Sequence, residues 1–124
     1  MKTIFVVDDS DTNLLTAEES LEDHYRVITI PSAAKMFAFL EKITPDLVLL
    51  DIQMPEMDGF EALQRLKSQP SYANIPVIFL TGYIDDDVEA RSRELGALDI
   101  ITKPFSASAL LERIETYLPD RQTD

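Results

Sequence analysis

Three stretches of this chain are apolar without a break and stop at a polar side chain: Ile4 to Val7 before Asp8, Leu47 to Leu50 before Asp51, and Val77 to Leu80 before Thr81. A strand with one face in water alternates apolar and polar residues. A continuous run of this length instead marks a strand covered on both faces, as in a parallel sheet between two layers of helices. Two weaker runs complete the set: Val27-Ile28-Thr29-Ile30, stopped by Pro31, and Leu98 to Ile101, ahead of Lys103-Pro104.

The segments between these runs have helical spacing. From Thr12 to Asp23, Leu14, Ala17 and Leu21 recur at helical intervals, with Glu18, Glu19, Glu22 and Asp23 on the other faces. Ser32 caps a helix carrying Met36, Phe37, Leu40 and Ile43, and Phe60, Leu63 and Leu66 mark a third. Asp85, Asp86 and Asp87 open a fourth, where the helix dipole favours negative charge, and Gly96 closes it. Ser106 caps a fifth with Leu110, Leu111, Ile114 and Leu118 on its apolar side, ended by Pro119. Strand and helix alternate five times, which predicts an α/β fold: a single doubly wound domain with a five-stranded parallel sheet and helices on both faces. Such sheets bind ligands outside the carboxyl ends of the strands, at the topological switch point. Asp8-Asp9, Asp51, Thr81 and Lys103 stand at strand ends and are expected to meet there.

Length and charge narrow the function. A chain of 124 residues fits one domain, read as 1–119, with 120–124 a polar tail or the start of a linker. With 23 Asp and Glu against 11 Lys and Arg the formal charge is −12, which repels phosphate backbones and anionic lipid. Direct nucleic-acid or membrane-surface binding is therefore not expected. The absence of cysteine excludes disulfides, thiolate metal sites and a Cys nucleophile. No stretch approaches the roughly 18 to 20 apolar residues of a membrane span, and the four apolar residues before Asp8 are too few for a secretion signal, so the expected compartment is the cytoplasm.

Three carboxylates at one sheet end need a compensating cation. Mg²⁺, a hard ion satisfied by one or two carboxylates plus phosphate oxygens and water, is the natural choice. Lys103 adds a positive charge and Thr81 a hydroxyl. These are the parts required for phosphoryl transfer to a carboxylate nucleophile, where positioning and charge neutralisation do most of the catalysis. Other polar features have plainer readings. Asp58-Gly59 is a turn and helix entry, Met54 and Met57 fill the loop, and Asp85 to Asp87 form a solvated helix start. His24 is a surface histidine with no second ligand near it, and Phe37, Phe39 and Phe79 are core or near-core residues.

Val7-Asp8-Asp9-Ser10, the run from Leu50-Asp51 to Met57-Asp58-Gly59, Leu80-Thr81-Gly82 and Ile101-Thr102-Lys103-Pro104-Phe105 together resemble the receiver domain of two-component response regulators, over about Lys2 to Leu118. The resemblance implies strand order 2-1-3-4-5 and Asp51 as phosphoacceptor. It implies Mg²⁺ held by Asp9, Asp51 and the main-chain carbonyl of Gln53, with Asp8 holding a metal-bound water or binding at longer range. Lys103 would pair with the carboxylate and then the phosphoryl oxygens, Thr81 would move onto the phosphoryl group, and the bond before Pro104 would be cis. The implied partners are a histidine kinase or phosphotransfer protein and an output domain or partner protein. A phosphorylation-dependent homodimer through the fourth helix, fifth strand and fifth helix is also implied.

The chain departs from the pattern three residues before Lys103, where receivers commonly carry Tyr or Phe and this chain has Ile100. Gly82 keeps access open beside Thr81, and Tyr83 and Gln53 lie where receivers tune how water reaches the acyl phosphate. Self-modification without turnover of a free substrate is expected. The alternatives are a Mg²⁺-dependent Asp-nucleophile phosphohydrolase and a receiver-like interaction module that takes no phosphate. The first lacks its general acid, because Gln53 stands two residues after Asp51; the second is disfavoured by the intact acids, threonine and lysine. A flavodoxin-like electron carrier is disfavoured because Asp8-Asp9-Ser10-Asp11 would repel a bound phosphate.

Overall fold

The computed structural model describes residues 1–119, so the expected tail at 120–124 lies outside the described residues. The element order is β1 (Thr3–Val7), α1 (Asp11–Leu21), β2 (Arg26–Ile30), α2 (Ala33–Leu40), β3 (Leu47–Asp51), α3 (Gly59–Lys67), β4 (Val77–Thr81), α4 (Asp86–Glu94), β5 (Asp99–Thr102) and α5 (Ala107–Tyr117). All pairings are parallel and the strand order is β2-β1-β3-β4-β5. The three uninterrupted apolar runs became the central strands, each buried along its full length. The two weaker runs became the edges, where one side of the strand stays open.

The period of two along each strand divides the core between the two faces. Ile4, Val6, Leu47, Leu49, Ile78 and Leu80 point to one side, where they meet Leu14, Ala17 and Leu21 of α1 and Leu110 and Ile114 of α5. Phe5, Val7, Val48, Leu50 and Phe79 point to the other, against Met36 and Leu40 of α2, Leu63 and Leu66 of α3 and Val88 of α4. Burying a single Leu or Phe side chain of this kind stabilises the fold by roughly 1.5–3 kcal/mol.

Each helix is started by a side chain that accepts one of the orphan N–H groups of its first turn: Ser10 from Asn13, Ser32 from Lys35, Asp58 from Glu61, Asp85 from Val88 and Ser106 from Ala109. Gly96, with φ +88°, ends α4 in the left-handed conformation that only glycine adopts without strain. Asp58-Gly59 is thus the expected helix entry, and Met54 and Met57 pack on the core. Phe79 is fully buried, Phe37 and Phe39 pack against the core half-buried, and His24 is half-buried in the turn after α1.

Several boundaries differ from expectation: α2 ends at Leu40 and α5 at Tyr117, which leaves Ile43 and Leu118 just beyond the helices expected to carry them, although both still pack on the core. α1 begins at Asp11 and ends at Leu21, because the Ser10 cap sits nearer the strand and the Tyr25 and His24 N–H groups close the last turn on Leu21. β5 runs from Asp99 rather than Leu98. The ladder pairs Ile78 with Asp99 and Thr81 with Thr102, which leaves Leu98 42% exposed despite its apolar side chain.

Candidate acidic site at the carboxyl ends of the strands

The chain leaves β1 towards β2 on one side of the sheet and returns to β3 on the other, so the carboxyl ends of β1 and β3 flank the switch point. Asp8 follows β1 directly. Its N–H donates to Ile30 O at 3.1 Å, and its Oδ1 accepts from the Ser10 N–H at 2.9 Å, which turns the carboxylate inward before α1 begins. Asp51 is the last residue of β3. The Ile52 N–H donates to Leu80 O at 2.9 Å and continues the ladder past it, while the Gln53 N–H donates to Asp51 Oδ1 at 3.2 Å. Lys103 follows β5; its N–H donates to Thr81 O at 2.7 Å, and the Lys103–Pro104 bond is cis.

These local turns bring Lys103 Nζ to 3.0 Å from Asp51 Oδ1 and 3.3 Å from Asp8 Oδ2. Asp8 and Asp51 are almost fully buried. Asp9 is exposed, yet one of its oxygens lies with one from Asp8 and one from Asp51 in a group no wider than 4.8 Å. Three carboxylates therefore face one ammonium. Burial pushes the Asp51 carboxyl up from the ordinary 3.8 to about 6, with the Asp8 charge adding to the rise and the Lys103 hydrogen bond only partly opposing it. Burial works against the Lys103 charge too, but its hydrogen bond and charge pairing with Asp51, and then with Asp8, hold its pKa above the ordinary lysine value. An all-oxygen donor set with surplus negative charge suits a hard divalent cation, so the residues present fit such an ion.

Thr81 ends β4 fully buried at the rim of this pocket, but its hydroxyl is engaged elsewhere. It has two acceptors within reach, the Tyr83 carbonyl at 2.9 Å and Gln53 Oε1 at 3.2 Å. Gly82 is exposed, and a Cβ built on it would meet nothing within 4 Å, so the described residues impose no steric need for glycine there. The Tyr83 side chain is 58% exposed, and Ile100 is half-buried against the core on the α2, α3 and α4 side.

Three features of the site carried no legible sequence signal. The Gln53 side chain reaches Thr81 across 28 residues. The Gly59 N–H donates to Ile52 O at 2.9 Å, closing the loop after Asp51 onto the start of α3. On β5, Asp99 accepts from Arg113 Nη2 at 2.6 Å and from the Tyr117 hydroxyl at 2.8 Å, which ties the edge strand to α5. Burial works against the Asp99 charge, but these bonds and the Ile100 N–H hold its carboxyl below the usual range. The Asp of an apolar-looking strand start gave no hint of the pairing.

Known proteins place this geometry. Residues 4–115 match the family model described as the response regulator receiver domain. A protein of Vibrio cholerae named a probable cyclic di-GMP phosphodiesterase is 40% identical over 98% of this chain, although the chain spans only 27% of that relative's length. Among solved structures, the Vibrio cholerae chemotaxis protein CheY4 superposes with a TM-score of 0.89 at 27% identity, covering 94% of this chain and 98% of its own. The BeF3-activated receiver domain of DrrB, a Thermotoga maritima protein, superposes at 0.83 with 32% identity, covering 95% and 97%. The two-sided sheet, the acidic switch point with its single lysine and the match along nearly the whole chain agree: this chain belongs to the family of response regulator receiver domains.

Proposed function

We infer that Asp51 is a phosphoacceptor, taking a phosphoryl group from the phosphohistidine of a histidine kinase or phosphotransfer protein, and that the modified pocket changes the contacts the receiver makes. The observation carrying this reading is the buried Asp8–Lys103–Asp51 bridge with Asp9 beside it. An ionised Asp51 oxygen attacks phosphorus in line. The new P–O bond forms as the P–N bond to the imidazole breaks, and the departing nitrogen takes up a proton from solvent. Lys103, already 3.0 Å from the carboxylate, passes to the phosphoryl oxygens, and Thr81 turns its hydroxyl from Tyr83 O towards them. Asp8, Asp9, Asp51 and the Gln53 main-chain carbonyl would hold Mg²⁺. When bound, the ion supplies the charge neutralisation that one lysine cannot.

The phosphoryl group carries about −1.5 to −2 charges in place of the single charge of the carboxylate it modifies, so the pocket gains up to about one negative charge along with three new acceptor oxygens, enough to bias a two-state element. Residues 1–119 form the switch, working in the cytoplasm with no turnover of a free substrate. Its output is a partner protein, an appended domain, or a second copy docked through α4, β5 and α5. Any phosphodiesterase activity belongs to a part of a longer protein outside these residues. The deciding experiment is incubation with Mg²⁺ and acetyl phosphate, followed by intact mass. One added phosphoryl group, lost when Mg²⁺ is chelated beforehand, is the expected result; no adduct in either case overturns the reading.

Tyr83 should set the lifetime of that adduct. Its carbonyl accepts from the Thr81 hydroxyl and its exposed side chain follows Thr81 by two residues; we propose that this bulky ring shields the in-line approach of water. Tyr83→Ala is expected to shorten the phosphoryl lifetime, measured by mass after the donor is removed. An equal or longer lifetime would remove Tyr83 from this role.

A further inference from the structure

Phe60, the second residue of α3, is a three-way junction. Its ring meets Phe79 of β4 edge-on, with centroids 5.4 Å apart and planes at 80°. On another side the guanidinium of Arg91, from α4, lies 4.3 Å from its centroid. The backbone beside the ring also lies close to the acceptor: its neighbour Gly59 donates to Ile52 O, and a Cβ added at Gly59 would lie 2.5 Å from Asp51 O. Phe79 in turn precedes Thr81 by two residues. One side chain thus touches the strand that carries Thr81 and the helix α4, and is joined through the backbone to the end of the strand that carries Asp51. Ile100, on β5, offers no aromatic ring for the same purpose.

We propose that Arg91 is a positioning residue for the switch: by holding α4 on the Phe60 ring it favours the arrangement in which the Thr81 hydroxyl is given to the Tyr83 carbonyl, and so opposes occupation of Asp51 by a phosphoryl group. This rests on the phosphoacceptor reading above. A contact made in one of two arrangements stabilises that one, and by linkage its loss raises affinity for any ligand that favours the other. Arg91 is exposed, where a cation over an aromatic face contributes modestly, so its removal should tighten binding roughly two- to fivefold. Arg93, two residues on, is the natural control. Its side chain is 73% exposed and pairs with Glu89 at 3.0 Å, away from the ring.

The test is titration of the full chain with beryllofluoride in the presence of Mg²⁺, followed by amide shifts in NMR. Arg91→Met keeps the apolar stem and loses the cation. It should bind roughly two- to fivefold tighter than wild type, with Arg93→Met unchanged. Without any ligand, the Thr81 and Tyr83 amide shifts of Arg91→Met should move along the line towards their beryllofluoride-bound positions. In a Phe60→Leu background the gain from Arg91→Met should vanish, since the ring it acts through is gone. Equal or weaker binding by Arg91→Met, unmoved free-protein shifts, or the same gain with Leu at position 60 would each overturn the proposal. A wild-type chain that binds no beryllofluoride would overturn the phosphoacceptor reading itself, and this inference with it.

Discussion

Asp51→Asn is expected to abolish phosphoryl transfer and, at the same time, to make the metal-free protein more stable at neutral pH. The first effect follows from losing the nucleophile: the Asn amide oxygen carries no charge to attack phosphorus, and incubation with acetyl phosphate and Mg²⁺ should leave the mass unchanged. The second follows from the electrostatics of the site. Burial raises the Asp51 carboxyl from 3.8 to about 6, so the folded protein holds a proton that the unfolded chain releases more readily. Its contribution is fully present below the unfolded value near 3.8 and is lost as pH rises through about 6. Asn is the neutral isostere of the protonated acid and keeps that contribution at every pH. In chelator the stability gap should therefore be near zero at the acid end, open between pH 3.8 and about 6, and level off above it in the variant's favour, at no more than a few kcal/mol. Urea unfolding at pH 4 and pH 7.5 tests it, and a variant no more stable than wild type at pH 7.5 would show that Asp51 carries no such strain. Saturating Mg²⁺ should shrink the gap, because the ion stabilises the carboxylate and not the amide.

That trade of stability for function is partly legible in the sequence. Continuous apolar runs ending at Asp8, Asp51 and Thr81 encode both the central strands and the placement of their polar ends, because a parallel sheet aligns all its carboxyl termini on one edge. The caps were legible for a similar reason: Ser32, Asp85 and Ser106 act within three residues of themselves, where side-chain chemistry and chain geometry are one problem. What escaped is what depends on register and on distance in the chain. Leu98 reads as strand by its side chain, but the β4 ladder, not hydrophobicity, decides where β5 starts. Nothing in Gln53, Arg91 or Asp99 names Thr81, Phe60 or Arg113 as a partner, since each contact is made across a turn of the fold rather than along a helix or strand. The direction of the Thr81 hydroxyl is similarly a matter of which acceptor lies nearest.

Gly59→Ala is the second substitution expected to have a large effect, and two rules of thumb disagree about its sign. At an exposed helix start, replacing Gly by Ala removes backbone freedom from the unfolded chain and should stabilise by about 0.4–1 kcal/mol. Here the new Cβ would lie 2.5 Å from Asp51 O, 2.8 Å from Ile52 Cα and 3.1 Å from Asp51 C. All three are backbone atoms, so no side-chain rotation relieves the clash, and the Ile52 O acceptor of the Gly59 N–H holds the two segments together. Overpacking of this kind costs about 1–3 kcal/mol, which outweighs the entropic gain. The segment that must give way is the one that carries the nucleophile, so the loss should appear twice: as a lower urea midpoint and as slower phosphorylation by acetyl phosphate. Gly82→Ala is the matched control, because a Cβ there meets nothing within 4 Å and stability should be nearly unchanged. If Gly59→Ala proved as stable and as reactive as wild type, the contact between the start of α3 and Asp51 would have to be looser than the backbone places it, and the route from Asp51 through Phe60 to α4 would lose its first link.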